Sequence, residues 1–434
     1  MRSLSIATTV LALAAACGGK PPAFPDDLDE PLVTRAAAER DVYTLWWNGA
    51  RIGEVEEELA RGDDGGVRLE RRERVVVRRG DRTSASRVTI AIRADAALRA
   101  EAIDVGGWGD GAPASATATR AADGRWRIAV VGEPERLVDG GAVPVELVAL
   151  RVARDGSFAG TVLLPARGFA LGTLRVAPDG EAWRAELDTG GGPTVTRLEL
   201  DRDGRVLRAA GSDGLVAVLA TPADVAAPFD PPEVVEATAI PVRGAPAEGA
   251  GPVRLALAPV TRALPPAIPG QAVAADGDRW GVVFDPELPG ALPAGRSTRD
   301  RHDDVVELVR TVDLRLEEDL AYIAPTMAAA RQARAGDCTT HALLLAALAE
   351  DEGIEVQLVT GLRFDRAAGR LVRHRWALAW TGKRWLPVDP THGEAPVATF
   401  LLGLAVHGPR AEELATADDV AFAGTGGARA KFQD

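Results

Sequence analysis

Asp-Gly pairs recur through the first half of this chain, among them Asp64-Gly65, Asp123-Gly124, Asp155-Gly156, Asp179-Gly180 and Asp203-Gly204. Between them run stretches rich in β-branched residues, such as "VRLERRERVVVRR", "SRVTIAIRA", "GRWRIAVV" and "PTVTRLELDRDGRVLRAA". Asp-Gly supplies the positive φ of a tight hairpin turn, so each pair marks a place where one strand folds back on the last. Repeated from Tyr43 to Leu219, the pattern predicts a large antiparallel meander sheet, curved or closing into a half-barrel. "LWWNGARIGEVEEELA" reads as its first hairpin, with Trp46 and Trp47 packing on the sheet ahead of an Asn48-Gly49 turn.

A proline-rich stretch, "ATPADVAAPFDPPEV", closes this region. The expected organisation is an antiparallel β domain at 41–233, then a small β module or extension of it at 234–295. An α+β domain follows at 296–409, and a small, polar, glycine-rich tail at 410–434 is expected to be loosely held. Nothing repeats at solenoid length.

The N-terminus reads as an export signal: Arg2 precedes an apolar run from Leu4 to Ala16, shorter than the roughly 20 residues a spanning helix needs. The run ends in "LAAAC", which resembles the lipobox of bacterial lipoproteins. That resemblance implies a signal peptide at 1–16, lipid on Cys17, and residues 17–40 as a membrane tether. It predicts an envelope protein, with the outer membrane preferred because Gly18 is not an inner-membrane retention signal. The formal net charge of -13 disfavours nucleic acid and anionic lipid surfaces as partners, leaving the lipid anchor as the expected membrane contact.

Only Cys17 and Cys338 carry thiols. With Cys17 committed to lipid, Cys338 is an unpaired thiol in an oxidising compartment, where cysteines usually serve as disulfides. An inert buried cysteine is the plain alternative. The surrounding "RAGDCTTHALLLAALAEDEG" reads as a helix, with Asp337 as N-cap, Gly353 as stop and Leu344, Leu345, Leu348 and Ala349 as its apolar face. Cys338 falls in the first turn, where free N–H groups and the helix dipole favour negative charge.

Downstream, "RHRWALAWTGKRWLPVDPTHG" reads as a hairpin. A two-residue loop at Thr381-Gly382 sets His374 opposite Asp389. A four-residue loop, Thr381 to Arg384, sets Asp389 opposite Trp376 and diagonal to His374. In both registers the imidazole and carboxylate share a face within reach of each other. Cys, His and Asp so arranged satisfy the logic of an activated thiol.

These segments resemble the transglutaminase-like superfamily, particularly its bacterial members. The shared pieces are the Gly-x-Cys helix start, a helix ending in Gly-Ile, the His-x-Trp strand and the Trp-x-x-x-Asp-Pro-Thr strand, spanning roughly Asp303 to His407. The resemblance implies a papain-like α+β fold with Cys338 as nucleophile, His374 as base and Asp389 as orienting acid. It implies a thioester chemistry on carboxamide or peptide bonds of a peptide or protein, without a cofactor. Hydrolysis and amine transfer both remain open, with hydrolysis favoured for an envelope protein. Two departures stand out: Arg375 where many relatives carry a small residue, and Phe400 where relatives often carry histidine.

His341 and Trp376 are candidates to support the site: His341 shares the helix face of Cys338, and Trp376 is placed to wall a cleft. His392, on a turn after Asp389, reads as structural, and His302 and His407 carry no signal. A metal set of Cys338, His341 and His374 lacks a fourth ligand, and neither HExxH nor CxxC occurs, so no metal is expected. A different class of function is a non-catalytic envelope binding or assembly protein, in which the β region works and the α+β domain is a scaffold.

Overall fold

The computed structural model describes residues 39–433 apart from 48, 80–81, 109–114, 132, 191–192, 202–204, 213, 247–251, 261, 321, 398–399, 423 and 426. The expected signal peptide, Cys17 and nearly all of the tether lie outside the described residues, as does the Asp203-Gly204 turn. The chain divides into two compact units that part between Pro232 and Glu233.

The first unit is one sheet of fifteen strands. Strands between Glu39 and Val138 follow one another outward to one edge, and those between Val143 and Ala220 to the other. The first, Glu39–Trp47, pairs antiparallel with the last, Leu215–Ala220, from Val42↔Ala220 to Trp47↔Leu215. This is the large antiparallel meander the turn pattern predicts. At Asp179-Gly180 a two-residue link closes a hairpin, with Asp179 paired to Ala182 and Gly180 at φ 64. Asp155-Gly156 differs: Gly156, at φ 79, ends the helix Val148–Asp155 and donates its N–H to the Val152 carbonyl. Asp-Gly encodes only the left-handed backbone, which a helix C-terminus needs as much as a hairpin does.

The sheet's buried face carries Tyr43, Leu45, Ile52, Val55, Leu69, Ile90 and Ile92. Among these lies a charge cluster. Arg71, only 1% exposed, donates to Glu57 at 2.6 Å and to Glu73 at 3.0 Å. Glu146 enters on the short 3-10 turn Val145–Leu147, and neither of its carboxylate oxygens meets a hydrogen-bond partner from another described residue. Burial pushes its carboxyl up to about 7.

The second unit is built on a nine-stranded sheet. Its spatial order is Gln271–Asp276, Arg279–Phe284, Val253–Ala258, Arg429–Gln433, Ile240–Arg243, Arg370–Trp380, Val356–Asp365 and Leu401–His407, with Trp385–Val388 pairing on Arg370–Trp380. Two expectations are corrected here. The strands of 234–295 extend this sheet rather than the first one, because Leu255, Leu257, Trp280 and Val282 share a core with Leu362, Leu371 and Leu402. The supposed loose tail, 410–434, forms the helix Ala411–Phe422 and the strand Arg429–Gln433, which sits inside the sheet between Val253–Ala258 and Ile240–Arg243. Its Ala430 and Phe432 are buried while Arg429, Lys431 and Gln433 are exposed, the period-2 alternation of a half-buried strand.

The helix Cys338–Asp351 is buried well beyond the single face expected: Ala342, Leu343, Leu344 and Leu345 are all sealed, while Leu348 is only partly so. A helix apolar on all sides belongs in a core. It packs with Val305, Val309 and Val312 of the helix His302–Arg315 and with Leu358, Ala377 and Val388 of the sheet. Among the described residues no helix is long and apolar enough to cross a membrane.

Candidate active site

Cys338 opens its helix behind an N-cap built from several constraints. The Asp337 carboxylate accepts from the N–H groups of Thr339 at 2.9 Å and Thr340 at 3.1 Å. Thr340 Oγ1 in turn donates to the Tyr322 carbonyl and accepts from the Ala324 N–H, tying the helix start to the preceding loop. Gly336 makes room for this, since a Cβ there would lie 2.4 Å from that of Thr340. The cysteine is thereby held at a fixed helix tip while staying partly exposed.

The hairpin adopts the four-residue-loop register: Trp380 pairs with Trp385 and Ala377 with Val388, so Asp389 continues opposite Trp376. The diagonal reach is sufficient. His374 Nε2 lies 2.8 Å from Asp389 Oδ2, with the histidine 8% exposed and the aspartate sealed. The Cys338 sulfur lies close enough to the same ring to favour its charged form. Burial opposes charge on His374, but the Asp389 carboxylate and the neighbouring sulfur outweigh it and push its pKa up to about 10. Asp389 feels the reverse: burial raises it, yet His374, Arg363 and the Thr391 N–H hold it below the usual carboxylate range. Arg363 stands 3.6 Å from Asp389 Oδ2 and 3.5 Å from Glu394. Thiol, imidazole and carboxylate thus come from a helix tip, a strand and the end of the next strand.

The supporting candidates divide. His341 is sealed, and its Nδ1–H donates to the Asp337 carbonyl at 2.8 Å, so it braces the helix start. Trp376 is only 1% exposed and does not wall an open cleft. It packs with Ile268, Val359 and Leu378, its ring 6.2 Å from that of His374 and nearly parallel to it, backing the imidazole. Gly361 and Gly403 leave the space its indole occupies.

Three contributions escaped the sequence. His392 is exposed, yet its ring lies 5.6 Å from that of His374 and 23° from parallel. Arg375, 4% exposed, donates to Thr360 at 2.9 Å, to Thr339 beside Cys338 at 3.1 Å, and to Asp418 of the C-terminal helix at 3.1 Å. His407 completes that chain. Its Nδ1–H donates to the Gly408 carbonyl, and its Nε2 accepts from Thr360 Oγ1 at 3.0 Å. Burial and the Arg375 charge lower its pKa to about 3, keeping it neutral. The odd arginine and the supposed tail explain each other, since Asp418 is the counter-charge that makes Arg375 tolerable in the interior. Only its place beside His374 hinted at this. Phe400, the other departure, packs against Phe284, Phe364 and Phe432.

Three solved structures resemble parts of the chain at low scores. A beta-barrel-like protein of domain of unknown function DUF1849 from Brucella abortus covers 43% of this chain and 96% of its own, at 13% identity and TM-score 0.34. A DUF1089 family protein from Pseudomonas aeruginosa covers 40% and 89%, at 12% identity and TM-score 0.24. A protein described as a "putative cysteine protease" from Cytophaga hutchinsonii covers 42% and 83%, at 13% identity and TM-score 0.22. Among curated proteins none matches the sequence. The family profile described as "Transglutaminase-like superfamily" matches residues 295–390, which contain Cys338, His374 and Asp389. Residues 295–390 of this chain are a transglutaminase-like superfamily domain.

Proposed function

We propose that this protein is a thiol enzyme acting on carboxamide or peptide bonds, with Cys338 as nucleophile, His374 as general base and acid, and Asp389 as the group that orients the ring. The observation that carries the reading is the 2.8 Å His374–Asp389 hydrogen bond on a ring whose charge the partly exposed Cys338 sulfur also favours. With its pKa raised, the imidazole already holds the thiol proton; the thiolate attacks the carbonyl carbon, and the imidazolium gives its proton to the departing amine as the C–N bond breaks. A thioester remains. Water attacks it while His374 again accepts a proton, the C–S bond breaks, and the thiol is restored. The Cys338 backbone N–H, at the helix start, is the donor best placed for the oxyanion.

Hydrolysis is favoured over transfer to a second amine, and the substrate class is a peptide or protein amide. In the same reading the chain is exported and anchored by lipid on Cys17, facing the periplasm or cell surface from the outer membrane; "LAAAC" supports this. The decisive experiment compares the wild type with Cys338→Ala on a panel of peptides and amides, following ammonia release, cleavage and incorporation of a labelled amine. Cys338-dependent turnover is expected, and incorporation would reassign the enzyme to transfer. If turnover is absent and Cys338 reacts with iodoacetamide no faster than a free cysteine, the thiol-enzyme reading is wrong.

A further inference from the structure

We infer that His374, Asp389 and His392 form a binding site for a divalent transition-metal cation of the Zn2+ class. Each of the three side chains offers one ligand atom, and these atoms all lie within 4.8 Å of one another. Donors held tetrahedrally at about 2.0–2.2 Å from one Zn2+ sit about 3.3–3.6 Å apart, so a closure of up to about 1.5 Å completes the set. His392 can supply that movement. It is exposed on the turn that follows Asp389, and its ring nitrogens make no hydrogen bond to another described residue. Two imidazoles and a carboxylate suit a borderline metal, and the exposed third ligand leaves coordination positions and an entry path open. Arg363 lies 3.6 Å from Asp389 and 3.5 Å from Glu394, beside the candidate site.

The set differs from Cys338, His341 and His374, which sequence reasoning did not expect to hold a metal: His341 is spent on the Asp337 carbonyl, and Asp389 and His392 stand with His374 instead. Binding itself does not require the thiol reading. If that reading holds, the cation is an off-switch: a His374 that ligates metal cannot pass a proton to and from Cys338. Metal occupancy and thiol chemistry then exclude each other.

The test is calorimetric titration of the full chain with ZnCl2, repeated on His392→Ala and Cys338→Ala. One Zn2+ per chain is expected, weakened at least tenfold in His392→Ala and retained in Cys338→Ala. In parallel, Zn2+ is expected to slow iodoacetamide labelling of Cys338 in the wild type, and to do so at least tenfold less effectively in His392→Ala. Absence of stoichiometric binding, or binding unchanged in His392→Ala, overturns the site. A wild type that binds Zn2+ through His392 yet shows no Cys338-dependent turnover keeps the metal site and removes only the thiol enzyme.

Discussion

Both units bury charge inside a sheet, and they do so to different ends. In the first, Arg71 is clasped by Glu57 and Glu73 within a sealed apolar face, and the Glu146 carboxylate beside them meets no hydrogen-bond partner from another described residue. In the second, Arg375 is satisfied on three sides, by Thr360, Thr339 and Asp418, and His374 is bonded to Asp389. What separates them is a thiol at the edge of the network: Cys338 remains partly open to solvent, and no thiol exists in the first unit's cluster. Buried polarity becomes chemistry only where it ends on a group a substrate can reach. Elsewhere it is a cost that packing must offset.

That contrast can be broken experimentally. The largest effect belongs to the open end: His374→Ala should lower Cys338-dependent turnover by about 10²–10⁴-fold. Deleting residues 411–434 should unfold the second unit, because it removes a strand from within the sheet and the Asp418 counter-charge; loss of near-ultraviolet circular dichroism would report it. A milder form, Phe432→Ala, should cost about 3–5 kcal/mol in denaturant unfolding.

Asp418→Ala strands the Arg375 charge and should destabilise by about 3–5 kcal/mol, whereas Arg375→Met combined with Asp418→Leu should recover much of the loss. A double-mutant cycle on the unfolding transition measures the coupling. The smallest effect lies in the sealed cluster. The Glu146 carboxyl titrates near 7 folded against 4.5 ordinarily, so the unfolded chain gives up its proton first and stability falls as pH rises between those values. Glu146→Gln should therefore gain on the order of 1–3 kcal/mol relative to wild type at pH 8 and nothing near pH 4.

Legibility followed the range of the interaction. Hairpin signals at Asp179-Gly180, the Asp337 cap and the shared face of His374 and Asp389 are set by residues a few positions apart, and local patterning carries them. The Arg375–Asp418 pair and the Phe432 strand depend on partners far along the chain, which period and propensity do not encode. The "RAKFQ" alternation was present in the C-terminal segment, yet its small residues and glycines read as slack without the neighbouring strands. Trp376 was read as a wall and is a backing, since a strand pattern identifies a face but not what covers it.

The pairing of Glu39–Trp47 with Leu215–Ala220 has a kinetic consequence. Each arm of the large sheet can zip outward through neighbouring hairpins, but this seam requires the two ends of the unit to meet across its full length, a closure with high entropic cost. The arms should gain structure first and the seam last. Until it closes, two long strands are left with bare backbone edges, and association between chains competes with completion of the fold.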